Sequence, residues 1–311
     1  MPFPHECCKS WRVRESILER KLHPVQVGDH AVPDLTDIVR KAARAGARAA
    51  LVEVEHGGGE EAGRGKGGDV SLRGDLAAER AVVEELKHWL PSFKLVTEEA
   101  GELSFGEGGP VVVVDPVDGS RNYKRGIPFF ATTVAAAVGP TIDDVVSAAV
   151  YAPLLDLEFY AERGNGAFLN GRKLSVRSSV QPVVAVNATP KAFFLPHLLA
   201  LALSTEGFVV RMLGAASLEL AFVASGGVDA YLDPWFAVRV VDLAASLLVV
   251  KEAGALVRVE GRLGNPPLLS LDERMAVLAA STEELAAKLD RAMGKALGFG
   301  FDEARCFLMA R

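Results

Sequence analysis

The stretch VVVVDPVDGSRNY, residues 111–123, places two carboxylates directly after a run of four valines. The valines are typical of a buried strand, and Pro116 stops it because proline cannot continue the hydrogen-bond ladder. Two acids as close as Asp115 and Asp118 cannot both stay ionised cheaply in a partly buried site unless a cation neutralises them. Their oxygens suit a hard ion such as Mg²⁺, to which the Val117 carbonyl could add a ligand.

The next two residues have properties that suit a phosphate site. Gly119 and Ser120 open a turn or helix whose N–H groups would point outward and hold a phosphate. A structural alternative exists on residue types alone, because Asp118-Gly119 is also a common turn and Asp115 could cap a helix.

Other acids stand in comparable places along the chain. Glu98 and Glu99 follow the apolar run LVT, although such a pair is most often a solvated surface. Asp242 heads the helix VVDLAAS and Asp75 precedes LAAERAVVEEL, where a helix cap is the structural alternative for each.

A glycine-rich segment, HGGGEEAGRGKGGD, covers residues 56–69 and contains seven glycines. This content is too high for the interior of a helix or strand. The segment is therefore either a flexible connector or a mobile loop over an active site, carrying Arg64, Lys66 and Asp69.

Composition narrows the class of protein. The 311 residues are half hydrophobic with a net charge of −6, which argues against binding of a nucleic-acid polymer. The three cysteines lie near the termini, which indicates a reducing, cytoplasmic setting. The longest apolar runs reach about half of the ~20 residues that a membrane helix needs, so we expect a soluble protein without a membrane partner.

The order of elements predicts a mixed fold. Residues 33–180 form an α+β part with a mostly antiparallel meander, beginning with a helix over 33–54 that Asp34 caps. Residues 181–298 alternate strand and helix in α/β fashion, and the two parts form one compact layered unit. We treat residues 1–32 as an extension of uncertain order and residues 299–311 as a tail.

Taken together, these motifs resemble the inositol monophosphatase family of Mg²⁺-dependent, lithium-sensitive phosphatases. Asp115–Asn122 matches its D-P-[hydrophobic]-D-G-[ST]-x-N signature throughout, and Thr97–Gly101 resembles its acidic pair after a strand. The segments ERGNGAFLNGRKLSV, RMLGAASLELAFVASGGVDAYLD and VDLAA resemble three further motifs, so the likeness spans roughly residues 33–298. Several ordered motifs are more specific than any single one.

The resemblance implies a layered α/β/α/β/α fold, a homodimer, and two to three Mg²⁺ ions per site. Its archaeal-type branch, which the glycine-rich segment resembles, often acts on both inositol phosphate and fructose 1,6-bisphosphate. Metal ligands implied by the matching positions are Glu98, Asp115, the Val117 carbonyl, Asp118 and Asp242, with Asp69 at a third, looser ion. Catalytic roles fall to Glu98, Ser120 and Asp75, which would orient and polarise the attacking water.

The same positions imply a substrate site, with some departures from the family pattern. Asp118, Gly119 and Ser120 would hold the phosphate, while Gly214, Ala215 and Ala216 would line the alcohol side. Arg211 and Arg239 are candidates for a second phosphate or a sugar oxygen, with surface charge as the alternative. Val241 replaces the family's Trp, Ala215 its Ser/Thr, and Trp235 an acid that binds sugar hydroxyls in the inositol-selective animal branch.

Three functions remain open at this point. A sugar-phosphate phosphatase acting on inositol 1-phosphate or fructose 1,6-bisphosphate is the favoured interpretation. A nucleotide phosphatase acting on NADP or 3′-phosphoadenosine 5′-phosphate is the alternative, and it needs an aromatic wall that Trp235 and Phe236 could provide. A non-catalytic regulatory protein is disfavoured because all four acids, Glu98, Asp115, Asp118 and Asp242, are present.

Overall fold

The computed structural model describes residues 34–54, 56–68 and 70–309. The predicted N-terminal extension, residues 1–32, and the candidate metal ligand Asp69 lie outside these ranges. The helices are α1 (Leu35–Val54), α2 (Arg73–Trp89), α3 (Ser120–Lys124), α4 (Leu195–Thr205), α5 (Ala216–Ser225), α6 (Val240–Glu252), α7 (Glu283–Leu297) and α8 (Ala304–Met309). The strands are β1 (Glu61–Arg64), β2 (Val70–Leu72), β3 (Phe93–Thr97), β4 (Gly101–Phe105), β5 (Val111–Asp118), β6 (Ala131–Ala137), β7 (Val145–Ala152), β8 (Leu157–Glu162), β9 (Gly166–Leu169), β10 (Arg172–Lys173), β11 (Val183–Val186), β12 (Val209–Arg211), β13 (Ala230–Arg239), β14 (Leu256–Gly261) and β15 (Arg274–Ala280).

The larger sheet has the strand order β10-β9-β8-β7-β6-β5-β3-β4. All of its neighbours run antiparallel except β3 and β5, which are parallel. This arrangement confirms the predicted meander. The valine run of β5 is buried on both faces, because Val112 and Val114 pack on the side of α1 and α2 and Val113 packs on the side of α5 and α6.

The smaller sheet has the order β12-β11-β13-β15-β14. Strands β12, β11 and β13 are parallel, as expected for strands separated by helices, while β15 and β14 are antiparallel. Strand β13 has ten residues and continues through Pro234. Its pairing with β15 shifts register between Asp233 and Val238, where Phe236 adopts a φ of +52°. The bulge redirects the last residues of β13.

Five layers result from this packing, as the resemblance implied. Helices α1 and α2 cover one face of the larger sheet, and α5 and α6 fill the space between the two sheets. The outer face of the smaller sheet is covered by α4, α7 and α8, to which Phe299 and Phe301 add buried rings. No helix among the described residues combines the length and apolar character that crossing a bilayer needs.

Helix α1 shows how the sequence builds these layers. Its N-terminus is capped as predicted, because Asp34 Oδ1 accepts the Asp37 N–H at 2.8 Å. From Ala42 onward its buried residues are all alanine or glycine, and a Cβ added at Gly46 would come within 2.6 Å of Val82 Cγ2. The small face therefore lets α1 lie close against α2 and the sheet.

The glycine-rich segment has more regular secondary structure than either interpretation of the sequence predicted. Strands β1 and β2 pair as an antiparallel hairpin whose register shifts between Glu61 and Gly63, and the φ of Gly63 is +134°. Most residues of β1 are not glycines, and the Lys124 ammonium contacts the Glu61 carboxylate at 2.9 Å. The expectation of a segment without strands was wrong because glycine content was averaged over a window that includes both a strand and a turn.

Candidate functional site

A cavity of about 610 Å³ collects residues from the ends of strands of both sheets. Its acidic lining residues are Glu61, Glu98, Asp118 and Asp242. Ser120, Asn122, Gly214 and Ala216 add a second wall, and Asn187, Thr189 and Lys191 a third. The structure thus places predicted site residues that are distant in sequence around one cavity, together with Asn187, Thr189 and Lys191, which the sequence analysis did not name.

Three carboxylates form a compact cluster at this cavity, two of them in its lining and Asp115 behind it. One oxygen each of Glu98, Asp115 and Asp242 lies within 4.8 Å of the others. The parallel pairing of β3 with β5 ends at Thr97 opposite Val114, so an acid follows at the same level on both strands. Asp242 is in the first turn of α6, which starts directly after β13. These three elements explain why the acids converge.

The electrostatics of the cluster favour a bound cation. Burial raises the pKa of Glu98 to about 7, against the lowering effect of Arg239. Burial, together with the charges of Glu98 and Asp242, raises the pKa of Asp115 well above its ordinary value. Like charges crowded in a low-dielectric site are relieved by a multivalent cation. All-oxygen ligands are the set that Mg²⁺ prefers, so the residues present fit this metal.

Asp118 is fixed by a contact that the sequence analysis missed. Its Oδ2 accepts both the Ser217 N–H at 2.8 Å and the Ser217 hydroxyl at 2.5 Å, at the start of α5. Burial raises the pKa of Asp118 to about 7, while the Ser217 hydrogen bonds lower it. A hydroxyl is therefore supplied two residues after Ala215, the position at which the sequence lacks the expected Ser or Thr.

The turn after Asp118 requires its glycine. Gly119 has a φ of +87°, and an added Cβ would lie 2.9 Å from Ala215 Cβ and 3.0 Å from Phe129 O. Asn122 fastens this turn to the opposite segment, because its Nδ2 donates to the carbonyls of Phe129 and Leu213, each at 2.8 Å. Ser120 of this turn and Gly214 of that segment both line the cavity.

Two predicted residues lie behind the wall. Val117 is buried, and its N–H donates to Asp115 Oδ1 at 3.1 Å. Asp75 is buried beside Leu72, whose N–H donates to Asp75 Oδ2 at 2.8 Å, while Asp75 Oδ1 has no hydrogen-bond partner among the described residues. Burial raises the pKa of Asp75 to about 8, so this carboxyl can hold a proton near neutral pH.

The two arginines proposed for the substrate are placed differently from each other. Arg211 is exposed, donates to the Val210 carbonyl at 2.9 Å, and is not among the described residues that line the cavity. Arg239 does line the cavity, but its guanidinium contacts two acids, Glu98 at 2.8 Å and Asp242 at 3.3 Å. Both residues are arginines, so residue type alone could not show that only one of them lines the cavity.

Comparison with known proteins gives a consistent result. The model described as "Inositol monophosphatase family" matches residues 33–294. The chain is 36% identical over 194 residues to an inositol-1-monophosphatase of Rhizobium meliloti, covering 60% of this chain and 70% of the relative. It is 34% identical over 236 residues to a fructose-1,6-bisphosphatase/inositol-1-monophosphatase of Thermococcus kodakarensis, covering 76% and 87%. The crystal structure of extragenic suppressor protein suhB from Bartonella henselae superposes with a TM-score of 0.70 at 28% identity, covering 84% of this chain and 98% of that one.

Proposed function

The chain belongs to the inositol monophosphatase family, and on this basis we propose that it is a Mg²⁺-dependent phosphatase of sugar phosphate monoesters. Inositol 1-phosphate, fructose 1,6-bisphosphate or both are the proposed substrates. The observation that carries this proposal is the cluster of Glu98, Asp115 and Asp242, whose oxygens lie within 4.8 Å of one another beside a cavity. The names of the relatives from Rhizobium meliloti and Thermococcus kodakarensis support the two substrates.

The proposed metal centre uses this cluster together with Asp118 and the Val117 carbonyl, for two Mg²⁺ ions. Asp69 is the proposed ligand of a third. When bound, such ions activate a water and neutralise the charge on the phosphoryl oxygens. The buried, mutually repelling carboxylates support the proposal, because a cation removes the energetic cost of keeping them ionised.

The chain's own residues would then orient the reactants. The Gly119–Ser120 turn presents N–H groups and a hydroxyl on the cavity wall, suited to phosphate oxygens. We assign Glu98 the orientation of the attacking water, with Ser120 and Asp75 polarising it. The raised pKa of Asp75, about 8, lies near the neutral range in which a proton-transfer group is most effective.

The cavity wall favours a sugar over a nucleotide. None of the described residues that line the cavity is aromatic. Trp235 and Phe236, which a base would need as a stacking wall, are each 6% exposed and pack in the core of the smaller sheet. Arg121 and Lys191 line the cavity and could meet a second phosphate, a role for which Arg211 lies in the wrong place.

The test is phosphate release from fructose 1,6-bisphosphate, inositol 1-phosphate, NADP and 3′-phosphoadenosine 5′-phosphate, each with Mg²⁺ and with EDTA. EDTA-sensitive release from one or both sugar phosphates is the expected result, and Asp118→Asn is expected to abolish it while the fold is retained. Release from nucleotides alone would overturn the substrate class. No release from any compound would favour a non-catalytic role on the same fold.

A further inference from the structure

The Arg239 side chain bridges two of the proposed metal ligands. Its Nη1 lies 2.8 Å from Glu98 Oε1, and its Nε lies 3.3 Å from Asp242 Oδ1. The three side chains are 11%, 16% and 14% exposed, respectively. These ion pairs are therefore largely removed from solvent, where charge–charge interactions are stronger than at a surface.

Arg239 engages both oxygens of one carboxylate. In addition to the contact from Nε, its backbone N–H donates to Asp242 Oδ2 at 2.8 Å. Arg239 ends β13 of the smaller sheet, whereas Glu98 directly follows β3 of the larger one. The guanidinium thus links the two sheets at the floor of the cavity.

The glycine-rich hairpin closes over this pair. The Gly67 N–H donates to the Glu98 carbonyl at 2.9 Å. A Cβ added at Gly67 would lie 2.7 Å from Arg239 Nη1 and 3.3 Å from Glu98 Cγ. The backbone of the hairpin turn therefore lies directly on the ion pair, which restricts the positions open to the guanidinium.

The charges in the cluster explain what this arginine does. Three carboxylates whose oxygens lie within 4.8 Å repel one another when no other cation is present. Arg239 supplies one positive charge that is covalently part of the chain and always ionised. A metal ion that takes the same carboxylates must approach this positive charge and share oxygens that already accept from it.

We propose that Arg239 is a tethered counter-ion of the metal site rather than an arm for the substrate. It stabilises the metal-free fold, and it weakens the binding of the metal ion that Glu98 and Asp242 hold. It is a positioning residue, because it acts through these two carboxylates. The inference rests on the metal site of the proposed function.

The test is calorimetric titration of EDTA-stripped protein with Mg²⁺, together with thermal unfolding with and without the metal. For Arg239→Met we expect the Kd for Mg²⁺ to fall by on the order of tenfold, since a like charge within a few ångströms of the metal is removed. We also expect a lower melting temperature in EDTA, which excess Mg²⁺ largely restores. Arg239→Lys keeps the charge and is expected to stay close to the unmodified protein.

Lys124→Met is the matched control, because Lys124 lines the same cavity but pairs with Glu61 at 2.9 Å. We expect no change in Mg²⁺ affinity for this variant. If Arg239→Met folds too poorly to titrate, Arg239→Gln keeps a donor for Glu98 while removing the charge, and the same tightening is expected.

Two results would overturn the inference. Unchanged Mg²⁺ affinity of Arg239→Met with a raised KM would mean that Arg239 binds the substrate. Weaker Mg²⁺ binding by this variant would mean that Arg239 holds the carboxylates in position for the metal and does not compete with it. Absence of saturable Mg²⁺ binding by the unmodified protein is a separate result, because it contradicts the proposed metal site itself.

Discussion

Glu273 and Asp115 are both buried acids, 0% and 2% exposed, yet their surroundings differ completely. The Glu273 carboxylate accepts the N–H groups of Arg262, Leu263, Gly264 and Leu268 at 2.7–3.2 Å. Asp115 accepts one N–H, from Val117, and faces the carboxylates of the metal cluster. One acid is satisfied by the chain, and the other is held close to groups of the same charge.

The comparison separates two uses of a buried acid. Glu273 holds the loop before β15 in place, because its two oxygens accept from four backbone donors of that loop at once. The cluster of Glu98, Asp115 and Asp242 leaves its charge to be balanced by Arg239 and by an added cation. Replacing each kind of acid should therefore affect different properties.

Replacing Asp115 should give the largest effect, and that effect should fall on activity. We expect Asp115→Asn to lower phosphate release with Mg²⁺ by at least a thousandfold, roughly 4 kcal/mol of transition-state stabilisation. The melting temperature in EDTA should not fall, because one charge of a repelling set is removed. Activity within tenfold of the unmodified protein, measured on material with native circular dichroism, would contradict the assignment.

Replacing Glu273 should give the opposite result. In Glu273→Gln an NH₂ group must face backbone N–H donors, so we expect the free energy of unfolding to drop by about 2–4 kcal/mol. Phosphate release per folded molecule should stay the same. Urea denaturation measures the first quantity, and a variant that keeps its stability but loses activity would break the comparison.

The site acids should also make the metal-free protein depend on pH. The pKa values of Asp75 and Glu98 are raised to about 8 and about 7, so between roughly pH 4 and pH 8 the folded chain binds more protons than the unfolded chain. The contribution of these two acids to stability in EDTA is therefore fully present below about pH 4 and is lost as the pH rises through their folded-state pKa values. Excess Mg²⁺ should stabilise more at about pH 8 than at about pH 5, because it binds ionised carboxylates. A melting temperature in EDTA that rises with pH over this range would contradict the raised pKa values of these acids.

An exposed acid with one hydrogen bond should matter least. Asp34 caps α1 through a single bond to the Asp37 N–H, so Asp34→Ala should cost about 1 kcal/mol of stability. Activity should be unaffected. Chemical denaturation with Mg²⁺ present measures this change in the free energy of unfolding. A decrease as large as that for Glu273→Gln would mean that burial of the acid does not determine how much its hydrogen bonds stabilise the fold.

Much of the fold could be predicted from local patterns. The valine run of β5, the cap of α1 and the alternation of strands and helices after residue 181 all depend on neighbouring residues. The glycine-rich composition of residues 56–69 did not predict the β1–β2 hairpin, because pairing between its strands outweighs the average composition of the segment.

Residues of the candidate site could be predicted where a short stretch of neighbouring residues identifies them. Asp115 and Asp118 share one motif, and Glu98 follows a strand as they do. Ser217 was missed because it meets Asp118 across 99 residues of chain. The ion pair of Arg239 with Glu98 was missed for the same reason, since a contact between two sheets leaves no pattern in either strand.

The most direct test of the account is a crystal structure of the protein soaked in Mn²⁺, with data collected for anomalous scattering. The account predicts anomalous peaks within coordination distance of Glu98, Asp115 and Asp242, and their loss in Asp115→Asn. Peaks elsewhere, or an ordered cavity without peaks at saturating Mn²⁺, would contradict the claim that these acids form a metal site.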